Sequence, residues 1–263
     1  MSNTMYFDHM QKVLNKGPVA AHQHPNGGGW VADTAFVADT VYVGPDAQVY
    51  DNARVEGTAV IDGKSNIHGN AHIYGKTQIV DTEVNGKACI YDNATVCGSL
   101  VQGHVRIYDS AQVCDSTVDG SGRNGSEVLI YGSAKLVSRV HVYGENIKIY
   151  GNARVRIFSI GGNARIYGNA KVWGEDEIKG WIGGDAQIYG NARIYDEASV
   201  AGRAKVRGNA VVFEFPRING DVIINGVAEV NYDVSGKAGT YMPCNEKKTG
   251  PRSVLEAAIL GLM

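Results

Sequence analysis

Residues 149–173 read IYGNARVRIFSIGGNARIYGNAKVW, and the period hidden in this stretch decides the fold. An aliphatic residue, a tyrosine, Gly-Asn, an alanine and a base run from Ile149 to Arg154 and again from Ile166 to Lys171. Counting outward, the same phrase organises most of the chain. Towards the N-terminus, aliphatic residues fall every six positions at Val31, Val37, Val43, Val49, Val55, Ile61, Ile67, Ile73 and Ile79. A small side chain stands two places ahead of most of them, as at Ala35, Ala47, Ala53, Ala59, Ser65, Ala71 and Thr77. An α-helix cannot hold such a series on one face, because six residues carry it well past one turn. A short strand followed by a corner can. Three such units close a triangular coil whose aliphatic side chains point to one axis.

The corners agree with this reading. Gly-Asn, Asp-Asn or Asp-Ser pairs stand at Asp51-Asn52, Gly69-Asn70, Asp92-Asn93, Asp109-Ser110, Gly151-Asn152, Gly168-Asn169, Gly190-Asn191 and Gly208-Asn209. Sharp corners need a positive φ, which Gly adopts freely and Asn or Asp tolerates better than other residues. Beyond Ile79 the coils shorten by one residue, between Ile79 and Val84, Val96 and Val101, and Val113 and Val118, and again from Val155 to Ile160. From Ile182 the six-residue count resumes through Val230. About eleven coils follow, stacked as parallel strands about 4.8 Å apart into a prism roughly 50 Å long.

Two excursions interrupt the count, within Asp119–Glu127 and within Gly174–Trp181. Both are expected to leave beside one side of the prism, just ahead of Ile130 and Ile188, and loops on a rigid scaffold are where function concentrates. The ends differ from the middle. Met5, Tyr6, Met10, Val13 and Leu14 have helical spacing, as do Val254, Leu255, Ala258, Ile259 and Leu262 after Pro251. The resulting division is an N-terminal helix and loop cap over 1–29, a solenoid over 30–235, and over 236–263 a loop with a capping or oligomerisation helix. Caps cover the unpaired strand edges and apolar core that a solenoid's open ends expose.

Composition supports a folded, turn-rich β protein, with 34 glycines, 14 tyrosines and only 6 prolines. A net charge of −2 speaks against general nucleic-acid binding. The balance is uneven: residues 1–127 carry 8 Lys and Arg against 14 Asp and Glu, whereas 128–217 carry 13 against 8. The second half of the solenoid is therefore basic, either as solvated surface or as an anion site. His22 and His24 form an HxH pair in a loop without a third metal ligand nearby, and no metal is expected. Neither a signal peptide nor a membrane-length apolar run is present, and a cytoplasmic setting is expected. There Cys97 and Cys114, neighbours in adjacent coils, should be packed thiols in the reduced state.

The residue after each inward aliphatic points outward. On one side this column reads Tyr74, Tyr91, Tyr108, Tyr131, Tyr150, Tyr167 and Tyr189; on the next it reads Val80, Cys97, Cys114, Val137, Arg156 and Trp173. An outer aromatic stripe suits a subunit interface, a stabilised parallel ladder, or a stacking platform for a ligand. As a ligand surface it would use Tyr108, Tyr131, Tyr150 and Tyr167, with Arg123, Arg139, Lys148 and Arg165 as its cations.

These residues resemble the hexapeptide-repeat proteins over 30–235, and the NGGGWVADTAFV opening at 26–37 with its IYGNA units looks like a bacterial and phage-encoded branch of them. The resemblance implies a left-handed parallel β-helix and a homotrimer. It also raises acyl transfer from a coenzyme A thioester, with a histidine base in a cleft between subunits. Of His68, His72, His104 and His141, the last two flank the Asp119–Glu127 loop and are the candidate bases. The γ-carbonic-anhydrase branch would need three zinc histidines; His68 and His104 lie about two coils apart, with no third at the needed spacing. The outward threonine ranks of ice-binding β-helices are absent. The leading expectation is a non-catalytic homotrimer binding a small anionic, nucleotide-like or polymeric ligand, for example a phage-encoded protein sequestering a host signal in the host cytoplasm. An acyltransferase and a structural spacer or virion component are the alternatives.

Overall fold

The computed structural model describes residues 3–5, 18–122, 126–156, 158–174 and 180–242. It is an all-β parallel solenoid, and no helix occurs among the described residues. Each coil has three sides. The first starts at Trp30–Ala32 and stacks on Gln48–Val49, the second at Phe36–Val37 on Arg54–Val55, and the third at Tyr42–Val43 on Val60–Asp62. The third side is a sheet of 11 strands ending at Glu229–Val230, which sets the number of coils. The other two sides join into one sheet, because the long strand Arg217–Ile224 passes over both.

The predicted inward residues form one continuous core from Val31 to Val234, nearly all wholly buried. The corners behave as their chemistry requires. Asp51, Asp92 and Asp109 take φ values of 57°, 59° and 59°, and Gly151, Gly168, Gly190 and Gly208 lie at 71° or 72°. At the corners, N–H groups donate to carbonyls of the following coil, as from Asn152 to Gly168 at 2.7 Å and from Asn169 to Gly190 at 2.7 Å.

Three of the shortened corners share a device. At longer corners the station two places ahead of the inward residue carries Ala47, Ser65 or Ala198, and at the fourth short corner Phe158, whereas Thr82, Ser99 and Ser116 are buried there at the other three. Each hydroxyl donates to the carbonyl two residues back, at 2.8 Å in all three cases. Each then accepts the N–H one coil on: Ser99 to Thr82 at 3.3 Å, Ser116 to Ser99 at 3.1 Å, Val140 to Ser116 at 3.4 Å. The buried N–H groups of Ser99, Ser116 and Val140 thereby find an acceptor. Ser99→Ala should therefore leave the Ser116 N–H buried and unpaired, lowering stability by about 1–3 kcal/mol in urea unfolding. A change within the spread of surface substitutions would show that the hydroxyl ladder contributes nothing.

Four expectations need correction or limits. Asn3–Met5 is a strand rather than the start of a helix, and pairs antiparallel with Val19–Gln23, which pairs antiparallel with Trp30–Ala32. The free edge of the first coil is thus met by a hairpin; residues 6–17 lie outside the described residues. Val234–Met242, read as solenoid end and loop, is a nine-residue strand stacked on Arg217–Ile224, and the C-terminal helix also lies outside the described residues. Cys97 and Cys114 are joined in a disulfide, because register places them opposite each other with Cα atoms 4.6 Å apart. The bridge is a feature of oxidising compartments and stands against the expected reduced pair. Finally, both excursions border the first side: one follows Thr117–Gly120, and the other precedes Trp181–Ile182 rather than Ile188.

Candidate functional site

The tyrosine column is built by the second side. From Tyr74 to Tyr189 every ring stacks on the next, with centroids 4.8–4.9 Å apart and planes within 3°. The spacing is that of the strands, which hold the rings in a face-to-face arrangement that free aromatics do not favour. Each interior ring spends both faces on its neighbours, so the column offers ring edges and a row of hydroxyls. Burial raises the pKa of Tyr74, Tyr91, Tyr108, Tyr131 and Tyr167, and for the last four neighbouring phenols reinforce this, taking Tyr91 to about 12.

The sign is direct. Folding favours the neutral phenol, so this contribution is complete below the unfolded value of about 10 and is lost as pH climbs through the folded values. A phenolate absorbance titration should show these five tyrosines ionising above the free value, together with loss of β structure. A single midpoint near that of free tyrosine, about 10, would contradict it.

Lys148 and Arg165 stand opposite each other in adjacent coils of the same side, two residues ahead of Tyr150 and Tyr167. They pair with no carboxylate among the described residues, whereas Arg106 on the same side is held by Glu127 at 2.8 Å. Two cations and two phenol hydroxyls thus share one small patch. Of the other predicted cations, Arg139 sits on the corner between third and first sides at φ 59°, away from this patch, and Arg123 lies outside the described residues.

The candidate bases are not brought together. Register sets His141 opposite Thr117 at the start of the first-side strands, whereas His104 follows Gly103 at their far end, two coils away. Both are exposed. Of the four coil histidines, the two that meet carboxylates are the others; His22, outside the coils, reaches Asp33 at 3.0 Å. His68 is buried, stacks on Tyr50 at 4.8 Å and reaches Glu83 at 3.2 Å. His72 reaches Glu56 at 2.9 Å, and Arg54, then His72, hold that carboxylate down at about 2. A histidine oriented by a carboxylate is the usual form of a general base, but the ring of His68 is covered by its neighbours. Their carboxylate partners were missed in sequence, because His68 and Glu83 meet only through the stacking of coils. Among the described residues no three His, Cys, Asp or Glu groups are placed to hold a metal ion.

Beside the first excursion, Asp119 accepts from Gln102 Nε2 at 2.8 Å and from the Ser121 N–H at 2.8 Å. Burial pushes its pKa up, and these hydrogen bonds together outweigh that and leave it lowered.

Comparison with known proteins bears on the architecture. The YdcK beta solenoid repeat model matches residues 47–63 and 186–203. Among solved structures, the Arabidopsis UDP-N-acetylglucosamine acyltransferase is 17% identical, covering 90% of this chain and 76% of its own, with a TM-score of 0.35. LpxA from Acinetobacter baumannii is 12% identical over 74% of this chain and 70% of its own, with a TM-score of 0.26. The UDP-N-acetylglucosamine O-acyltransferase LpxA from Moraxella catarrhalis is 15% identical over 74% and 68%, with a TM-score of 0.23. No curated protein matches the chain. The chain is a parallel β-solenoid of hexapeptide repeats, similar in two of its segments to the YdcK beta solenoid repeat.

Proposed function

We propose that the protein is a non-catalytic, homotrimeric binding module that takes a small anionic, nucleotide-like ligand on its second side. The observation that carries this reading is the in-register pair Lys148 and Arg165, without carboxylate partners among the described residues, beside the hydroxyls of Tyr150 and Tyr167. Two fixed cations and two neutral donors suit a phosphate-sized anion. The stacked rings make the patch rigid, so little is lost in ordering it on binding. The half-buried outer edges of the tyrosine column supply a surface for self-association. Sequestration of a nucleotide signal by a phage-encoded protein is the concrete form of this role.

Native mass spectrometry of gently purified protein tests it. A trimer carrying one phosphorylated molecule per site, lost in the double variant Lys148→Gln and Arg165→Gln, is the expected result. Failure to retain any anionic metabolite, with no heat on titration of nucleotides, ends the reading. Turnover of a coenzyme A thioester that disappears in His104→Ala or His141→Ala would replace it with acyl transfer.

A further inference from the structure

The third side carries a second feature, independent of the patch just described. Lys135, Arg154, Lys171 and Arg193 occupy the same station in successive coils, each in register with the next. Gln112 precedes this column and Val211 follows it. Like charges set opposite one another across strands repel. Elsewhere the solenoid relieves such charges by pairing, as in Arg54–Glu56, Arg106–Glu127 and Arg203–Asp221. None of these four cations meets a carboxylate among the described residues, and Arg154 and Arg193 are exposed. Among the described residues no counter-charge of matching repeat faces the column.

Its flanks are equally regular. Two residues before Arg154, Lys171 and Arg193 run Asn152, Asn169 and Asn191, each side-chain amide donating to the next at 3.0 or 3.1 Å. Every amide keeps a second N–H for another acceptor. Two residues after Arg154, Lys171 and Arg193 stand Arg156, Trp173 and Tyr195, in register with one another. The surface is therefore a track along the solenoid axis, with amide donors on one border, cations in the middle and Val137, Arg156, Trp173 and Tyr195 on the other.

We propose that this track binds a short, linear acidic polysaccharide, laid along the axis so that the uronate carboxylates of alternate sugars, which share one face of an extended chain, meet the cations Lys135, Arg154, Lys171 and Arg193 in pairs. The rungs are about 4.8 Å apart, close to the advance of one pyranose in an extended chain, whereas the phosphates of an extended single-stranded nucleic acid are spaced more widely and fall out of step. Sugar hydroxyls meet the amide border, and the apolar faces of the pyranoses meet Trp173 and Tyr195. The acidic excess of residues 1–127 repels a polyanion that overruns the column, so the site favours short segments.

The test is calorimetric titration at low ionic strength with galacturonate oligomers of increasing length. Affinity should rise with chain length until the four cations are matched, then level off, and should weaken as salt is added. Arg154→Gln with Lys171→Gln should weaken binding about tenfold or more, while Lys148→Gln with Arg165→Gln should leave it unchanged, so this site and the second-side patch fail or succeed separately. Circular dichroism shows that the variants fold. The proposal is overturned by any of three results: no uronate binding, affinity in the Arg154 and Lys171 variant equal to the parent, or tighter binding of single-stranded DNA or polyphosphate of the same charge.

Discussion

Phe158→Ala is expected to lower the unfolding free energy by about 3–5 kcal/mol. Phe158 is wholly buried at a station, two places ahead of an inward residue, where other coils carry Ser65, Thr82, Ser99, Ser116 or Ala198. A phenyl ring fits there because the next coil carries Gly180, and a methyl group on Gly180 would run into the ring of Phe158. The oversize of one coil is thus matched by the undersize of its neighbour, as close packing demands. Gly180→Ala alone should cost about 1–3 kcal/mol by overpacking. In the Phe158→Ala background the same change should cost almost nothing, since it then fills space. Urea unfolding of the four proteins measures that coupling. If the two single effects add to within about 0.5 kcal/mol, the proposed contact is wrong.

Gly168→Val should be nearly as damaging, with a loss of at least about 2 kcal/mol. Gly168 turns its corner at φ 71°, a region that a β-branched residue adopts only as an outlier. The added Cβ would also lie 3.0 Å from the Gly190 nitrogen and 3.1 Å from its oxygen, against the backbone that accepts the Asn169 N–H. Gly168→Asp offers the control. Asp92 and Asp109 hold the same kind of corner at φ 59°, so aspartate should lose less than half of what valine loses. Equal losses for the two would point to crowding alone and remove the backbone argument.

The coils were legible in the sequence because an inward station admits one kind of side chain and a corner admits another, so both periods survive in the letters. The tyrosine column was legible for the same reason. The basic track was not, although its four residues are plain to see. The excursion and the changing coil lengths make the gaps between Lys135, Arg154, Lys171 and Arg193 unequal, and only the strand register shows them to be one column. The ends misled for a different reason. Apolar residues at Met5 and Tyr6 satisfy a helix pattern, but Asn3–Met5 lies within reach of an unpaired strand edge, and pairing there outweighs local spacing. Val234–Met242 was hidden because a strand can continue on its neighbour after the repeat has stopped. The disulfide turns on redox state, which spacing does not encode.

The register of the coils also sets the unit in which this protein can change over generations. Residue Gln78 faces Thr95, and Thr95 faces Gln112, each one full coil on. Excising one such coil between equivalent corners leaves every surviving strand with a neighbour of the same kind. Excising a single side instead rotates all that follows by a third of a turn, setting hydroxyl corners against glycine corners and tyrosines against cysteines. Lineages of this fold should therefore lengthen and shorten by whole coils, while drifting freely in the letters that face outward.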